Sequence, residues 1–405
     1  MIKKYDVCVV GGGAAGMAAA IAAAENGCSV CIVDKNKKLG KKMYATGNGR
    51  CNLANADTDQ RHYHSSSADY KTFLHCCMGD DPNQELFSFL HTIGVYERLT
   101  DGYYYPISMQ ASAVVWAFLD KISTLPIQVQ LGQTVNKISK QADGYCVLTE
   151  KEQIAASRVI LACGGRSYPS LGGCDCGSVI ADALGIKQEA QRPALCAFYT
   201  KEDTESIKGV RVTCAAMFEK GIETYQEQGE LQITEYGLSG IMIFNLSSVV
   251  GAVLMEQSEV LLHLDFLPQT QIQEFLSGAR QMRSIYGYLN AYIPDKLAMY
   301  ILKSVGQNPK QSISEISETE IQQIYRKCKA FPFHVRALKD YEQAQVTAGG
   351  IRLEAVSPDT MECLQYPGLY ATGEMLDIDG DCGGYNLTFA LLTGLRAGRA
   401  CHDKN

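Results

Sequence analysis

Apolar positions follow more than one rhythm along this chain, and the first change of rhythm falls close to its start. Val7 to Val10 is a continuous apolar run, of the kind buried on both faces of a parallel sheet. From Ala14 to Ala24 nearly every position is alanine, the strongest helix former, and Gly27 marks the end of that helix. A second apolar run then reaches Val33 and stops at Asp34. Within residues 66–94, SADYKTFLHCCM and NQELFSFLHTIG predict two helices; TDGYYYPIS predicts a strand or turn, and Ala111 to Ser123 a further helix. The segments IQVQL, TVNKI, YCVLT and QIAASRVILA predict short strands. Alternation of Tyr145, Val147 and Thr149 marks them as a half-exposed antiparallel sheet.

After Leu184 the pattern changes. Pro193 to Pro268 is strand-rich, with ALCAFYT, VRVTCAAMF, ELQIT, GIMIFNL and EVLLHLDF, which predicts a small barrel or curled sheet. The most apolar stretch, GIMIFNLSSVVGAVL from Gly240, is read as buried strand and turn, too short for the roughly 20 residues that a bilayer requires. Gln269 to Lys329 is helical, with LAMYILKSV and ETEIQQIYRKC as amphipathic pieces; FPFHVRAL returns to strand and AQVTAGGI rejoins the first domain. The expected fold is α/β: a Rossmann-like domain over 1–190 and 345–405, with a β-barrel-like subdomain (191–268), a small helical subdomain (269–329) and a return strand (330–344) inserted. The insertion is the expected substrate cover.

With 405 residues, 46% hydrophobic and 20% charged, the chain suits two or three packed units rather than a disordered state. Its net charge of -7 argues against a general nucleic-acid binder, which needs a basic stripe. Met1 to Tyr5 run straight into a strand, so no secretory leader is expected, and sixteen cysteines then point to a reducing cytoplasm where thiols act as small hydrophobes. Cys28 and Cys31 lie three apart at the edge of a strand, on opposite faces, and Cys174 and Cys176 lack a second ligand pair, so no metal site is expected.

Gly11, Gly13 and Gly16 stand at G-x-G-x-x-G spacing between the first strand and the alanine helix, with Ala14 and Ala15 opening its first turn. The three glycines permit a tight turn, a backbone approach to pyrophosphate and close helix packing; Asp34 is placed to accept hydrogen bonds from a ribose diol. This context outweighs a plain glycine-rich turn and leaves NAD or FAD. Two later elements favour FAD. ASRVILACGG ends a strand in small residues, Gly164 among them, so that a cofactor can lie across it. Near the end, a strand stops at Gly373-Glu374 and a glycine-rich loop through Asp381 and Gly384 opens a helix at about Leu387, with Asn386 beside it. A helix amino terminus suits the negative charge on a reduced flavin. Gly394 and Gly398 on that helix permit close contact with the alanine helix.

GGGAAGMAAAIAA, KKLGKKMYATGNGRCNLAN, VTAGGIRLEAVSPDTME and GLYATGEMLDIDGDCGGYNLTFALLTGLRAG, in this order, resemble the BaiN and aminoacetone-oxidase-like FAD flavoproteins over essentially the whole length. The resemblance implies a discontinuous FAD domain with an inserted barrel and helical subdomain. It also implies hydride chemistry of the kinds linked to that family, reduction of oxo-enone bile-acid intermediates and aminoacetone oxidation. The chain departs from the family pattern at Thr234–Ile241, at SLGGCDCGS after Tyr168 and at Cys363-Leu364.

In this frame ATGNGRCNLAN is a flavin-site loop, with Gly49 for a turn, Arg50 balancing phosphate or flavin charge, and Cys51 and Asn52 against the ring. A lone Cys51 has no resolving partner nearby for redox work. Lys37 and Lys38 read as a solvated face, whereas Lys35 and Lys41 or Lys42 are nearer the cofactor, and Val135 is expected at its adenine end through its backbone. His62 and His64 read as exposed; His334 stands at the return to the flavin domain. Tyr103 to Tyr105 offer a proton donor or a stacking face, or simply strand packing. No side chain is singled out as catalytic. The expected activity is FAD-dependent hydride transfer with a small or medium apolar substrate such as a steroid-type oxo-enone. Amine oxidation with oxygen and flavin-dependent RNA modification or RNA binding are the alternatives. No second G-x-G-x-x-G occurs, so NADH or NADPH, if it is the donor, visits transiently.

Overall fold

The computed structural model describes residues 3–279 and 283–402. The outer ends of the expected cofactor domain (1–2, 403–405) and residues 280–282 of the expected helical stretch lie outside the described residues. The chain divides into two compact units, Met1–Arg192 with Tyr341–Asn405, and Pro193–Asp340. Each has a hydrophobic core of its own.

Unit 1 opens with β1 (Lys3–Val10), α1 (Ala14–Glu25) and β2 (Val30–Asp34). Short pieces follow: β3 (Ala54–Asn55), β4 (Tyr63–His64), α2 (Tyr70–Met78), α3 (Pro82–Thr92), β5 (Glu97–Thr100) and β6 (Tyr103–Pro106). Then come α4 (Ala111–Ser123), β7 (Ile127–Leu131), β8 (Val135–Gln141), β9 (Gly144–Thr149), β10 (Gln153–Leu161), α5 (Cys176–Ala183) and β11 (Gln188–Ala194).

Unit 2 contains β12 (Phe198–Thr200), β13 (Arg211–Lys220), β14 (Glu223–Thr234), β15 (Gly237–Ser239), α6 (Ile241–Leu254) and β16 (Val260–Asp265). It continues through α7 (Ile272–Ala279), α8 (Ile285–Asn290), α9 (Asp295–Ser304), α10 (Glu318–Lys329) and β17 (Phe331–Leu338). Its strands close into a barrel in the order β12-β15-β14-β13-β16-β17. The strand expected from Gly240 is instead the helix α6. Nearly every residue there is apolar, so no polar positions reveal a period of 3.6. Ser247, which reads as a strand interruption, satisfies its hydroxyl on the Phe244 carbonyl one turn back. His334 is on the strand expected from FPFHVRAL. It lies on barrel strand β17, where its ring meets Glu202 at 2.6 Å.

The chain returns to unit 1 through β18 (Val346–Ile351), β19 (Leu369–Ala371), β20 (Asp379–Gly380) and α11 (Tyr385–Ala400). The main sheet runs β7-β2-β1-β10-β9-β8, with β19 also on β10. Strands β7, β2, β1, β10 and β19 are mutually parallel. Strands β8 and β9 continue the sheet antiparallel to β10. IQVQL (β7) therefore belongs to the parallel part and not to the antiparallel cover: α4 acts as a crossover helix, and a crossover delivers the next strand parallel. Because the parallel strands share a direction, the loops after Val10, Asp34, Leu161 and Ala371 gather at one edge of the sheet. Ligands bind at that edge in doubly wound folds.

Helix α11 lies directly on α1. A Cβ on Gly394 would run into the Ala15 carbonyl oxygen, and one on Gly398 into that of Ala19. Among the described residues, no helix is long and apolar enough to cross a membrane.

Candidate functional site

The turn after β1 holds the first half of the site. Gly13 is the N-cap of α1, no side chain caps the helix, and no acid occupies its first turn, so the N–H groups of Ala14, Ala15 and Gly16 keep their positive end uncompensated. A Cβ on Gly16 would strike the Gly11 carbonyl oxygen, and one on Gly11 the Ala162 carbonyl oxygen; a Cβ on Gly13 would meet nothing within 4 Å. The packing is therefore tight on two sides and open over Gly13. That notch fits the pyrophosphate of a dinucleotide.

Asp34, 8% exposed at the end of β2, accepts from the Gly12 and Asn36 N–H groups, each at 2.6 Å. Each carboxylate oxygen keeps a second lone pair for a ribose hydroxyl. The Gln133 N–H donates to the Asp34 carbonyl at 3.1 Å, which brings the start of β8 alongside; the Val135 side chain is buried, so only its backbone can serve an adenine. The lysines divide their work. Lys35 donates to the Gly173 carbonyl at 3.4 Å and Lys41 to that of Ser170 at 2.7 Å. Lys42 pairs at 3.2 Å with Glu374, whose other oxygen accepts from the Thr347 N–H at 2.8 Å. A Cβ on Gly164 would lie 3.8 Å from Glu374, so Gly164, Lys42 and Glu374 form one cluster.

The second half comes from the carboxyl-terminal segment. Gly373 donates its N–H to the Thr393 hydroxyl at 3.0 Å, and a Cβ on it would lie 3.2 Å from the Ala15 side chain. Gly384 caps α11 without a side-chain bond, and no acid lies in the first turn. The helix starts at Tyr385, two residues ahead of the expected Leu387, so Asn386 and Leu387 present first-turn N–H groups. The Asn386 amide spans Gly380, accepting from its N–H at 2.9 Å and donating to its carbonyl at 2.6 Å. Those bonds fix the amide on Gly380 and use one of its two donors and one of its two lone pairs.

The loop quoted as ATGNGRCNLAN is a broken 3-10 turn. Gly47, Asn48, Gly49 and Cys51 all adopt positive φ, which is why no helix or strand period runs through it. Cys51 is fully buried and burial pushes its thiol up to about 11, so it is not a thiolate nucleophile at neutral pH. The Asn52 amide, its nitrogen turned inward, donates to the Ala54 and Tyr104 carbonyls. Arg50 is exposed and lies over the Tyr105 ring, 5.0 Å from its centroid.

Residues 5–400 match the HI0933-like protein Rossmann domain family. The chain belongs to the HI0933-like family. It is 33% identical, over 98% of both chains, to the 3-dehydro-bile acid delta(4,6)-reductase of Clostridium scindens. To the ribosomal RNA dihydrouridine synthase of Escherichia coli it is 26% identical over 96% of each chain. The 3-ketosteroid delta1-dehydrogenase of Sterolibacterium denitrificans shares the fold, with 14% identity, 99% coverage of each chain and a TM-score of 0.52. This HI0933-like chain is a FAD-dependent oxidoreductase.

Asp381 has a different set of partners from those expected of a cofactor contact. Buried to 5% exposure, it holds the His62 ring at 2.8 Å through one oxygen and the His64 ring at 2.8 Å through the other. The two histidines are not exposed, as their polar setting suggests, but half-buried: His64 lies on β4, which pairs with β20, and His62 ends the turn just before that strand. His62 also stacks on Tyr385, the first residue of α11, with centroids 4.8 Å apart. The hydrogen bond that the His62 ring donates to Asp381 raises the His62 pKa above its ordinary value. Burial alone would raise Asp381, but the bonds from both histidines outweigh it and hold the carboxyl below its usual range.

A raised imidazole contributes stability that is complete below pH 6.5 and lost as pH rises through the folded value. The depressed Asp381 contributes stability above 3.8, lost as pH falls through its own folded value. The unfolding free energy of the wild type, from urea titration, is therefore expected to fall between pH 6 and pH 8.5, by roughly 0.5 kcal/mol after solvent screening. In His62→Gln that alkaline loss disappears. An identical slope in the variant would remove His62 from the account.

Proposed function

We propose that this enzyme saturates a carbon–carbon double bond conjugated to a carbonyl in a steroid-type oxo-enone. The observation that carries the reading is the 33% identity to the Clostridium scindens 3-dehydro-bile acid delta(4,6)-reductase along 98% of both chains. Bound FAD supplies the two-electron hydride chemistry. In this reading the open notch at Gly13, bordered by Gly11, Ala14, Ala15 and Gly16, takes the pyrophosphate, Asp34 the adenosine ribose, and the Val135 backbone the adenine. Lys35 and Lys42 supply positive charge on that side, with Gly164, Gly373 and Glu374 forming the floor between the two halves. The N–H groups at Gly384, Asn386 and Leu387 face the pyrimidine edge of the ring; Gly49, Arg50, Cys51 and Asn52 line its border, and Asp381 holds the loop in front. NADH or NADPH is the proposed electron source.

A second reading has its own support. The Escherichia coli relative is named for dihydrouridine synthesis, and uridine also carries a double bond conjugated to a carbonyl, so the same hydride chemistry would act on a base in RNA. The chain's net charge of -7 weighs against a large phosphate-binding surface.

Anaerobic mixing of the photoreduced holoprotein with a 4-en-3-one bile acid separates the two. Saturable reoxidation of the flavin and a product two hydrogens heavier are expected. Failure with every steroid-type enone, together with reoxidation and a gel shift by uridine-containing ribosomal RNA fragments, would move the assignment to RNA.

A further inference from the structure

Among the described residues, Cys174 and Cys176 are joined as a disulfide, whereas cysteines such as Cys51 and Cys77 keep their thiols. Buried thiols such as Cys51 and Cys77 are raised by burial to about 11 and about 12, which makes them poor partners for exchange. The joined pair differs in position. It spans the junction between the loop after β10 and α5, of which Cys176 is the first residue; neither cysteine is buried, and the residue between them, Asp175, is exposed.

This loop is tied to the segment that follows Asp34. Lys35 donates to the Gly173 carbonyl at 3.4 Å, Lys41 donates to the Ser170 carbonyl at 2.7 Å, and a Cβ on Gly172 would strike the Asn36 amide. On its inner side the Cys174 N–H donates to the Gly165 carbonyl and the Gly173 N–H to that of Tyr168, both at 3.0 Å. A cross-link between residues 174 and 176 thus limits the backbone freedom of the stretch on which Lys35 and Asn36 rest.

We infer that Cys174 and Cys176 are a thiol–disulfide exchange site for a small or protein dithiol, and that its state sets how firmly the 165–175 loop holds the segment beside the cofactor's adenosine end. The second half of this inference rests on the FAD reading above; the first does not. In the exchange, one thiolate of the dithiol attacks a sulfur of the pair, forming a mixed disulfide and expelling the other cysteine as thiolate. The dithiol's second thiolate then displaces the remaining cysteine. The dithiol loses two electrons, the pair gains them, and two protons end on Cys174 and Cys176.

The holoprotein is equilibrated in mixtures of reduced and oxidised dithiothreitol, quenched in acid, alkylated and digested with trypsin. The peptide Ser167–Lys187 is expected to pass reversibly between an unalkylated and a doubly alkylated form, with the other cysteines alkylated throughout. FAD release on dilution is expected to be about fivefold faster from the reduced protein and from the Cys174→Ser, Cys176→Ser double variant, the effect of losing about one hydrogen bond. Double alkylation under oxidising conditions overturns the exchange site, as does stoichiometric zinc that protects both thiols. Unchanged FAD release overturns the link to the cofactor. A colourless protein that takes up no FAD, yet still cycles this peptide, supports the exchange site and defeats the FAD reading.

Discussion

Gly13→Ala is expected to strip the enzyme of FAD while leaving the polypeptide nearly as stable as the wild-type apoprotein. Gly13 has φ -78° and ψ -168°, an extended conformation open to any L-residue, and a Cβ there meets no atom within 4 Å. The fold therefore meets no clash, and the apoprotein's unfolding free energy in urea should stay within about 1 kcal/mol of wild type, the cost of alanine at an N-cap. The methyl group instead fills the space over the α1 amino terminus in which the pyrophosphate would lie. Affinity should fall by about 100-fold, or roughly 2.7 kcal/mol, in a flavin-fluorescence titration. Gly16→Ala is the opposite case: its Cβ collides with the Gly11 carbonyl oxygen, so stability falls by about 3 kcal/mol before any ligand is considered. If Gly13→Ala binds FAD as tightly as wild type, the pyrophosphate does not occupy this notch.

The second large effect lies at the other end of the sequence. Gly394→Leu is expected to destabilise the protein by about 3 kcal/mol or more, since no rotamer can relieve a clash between a Cβ and the Ala15 backbone carbonyl. Ala15 belongs to the first turn of α1, so forcing α11 away also displaces the N–H groups proposed to face the cofactor. Gly398→Leu makes the equivalent clash at Ala19, one turn farther along α1, and should lose comparable stability with less effect on FAD affinity. Urea unfolding and flavin titration on both variants measure the two effects separately. A Gly394→Leu protein with wild-type urea resistance would contradict the close packing of α1 and α11.

Much of the cofactor half was legible from residue order because its determinants are local. The glycine fingerprint, the alanine helix and Asp34 lie within one strand–helix–strand unit, where spacing alone dictates which groups meet. Helix α4 was legible from end to end for the same reason. Helix α6 was not, because a segment apolar on every side carries no periodic signal; its length, 14 residues, was the cue that favoured helix. The direction of β7 was also hidden, since alternation marks a strand but not its neighbours.

By itself the sequence determined a dinucleotide fold with a barrel inserted and a flavin rather than a nicotinamide domain, and it supplied the two segments proposed to grip the flavin's ends. The tertiary structure alone decided which polar groups remain for the cofactor. Lys42 and Glu374 are 332 positions apart and His62 and Asp381 are 319 apart, yet each pair is in hydrogen-bond contact. A carboxylate or amide in a sequence is only a capacity for hydrogen bonds. Whether Asp381 or Asn386 spends that capacity on a ligand or on its own chain depends on which distant backbone the sheet brings beside it, and residue order holds no local record of that.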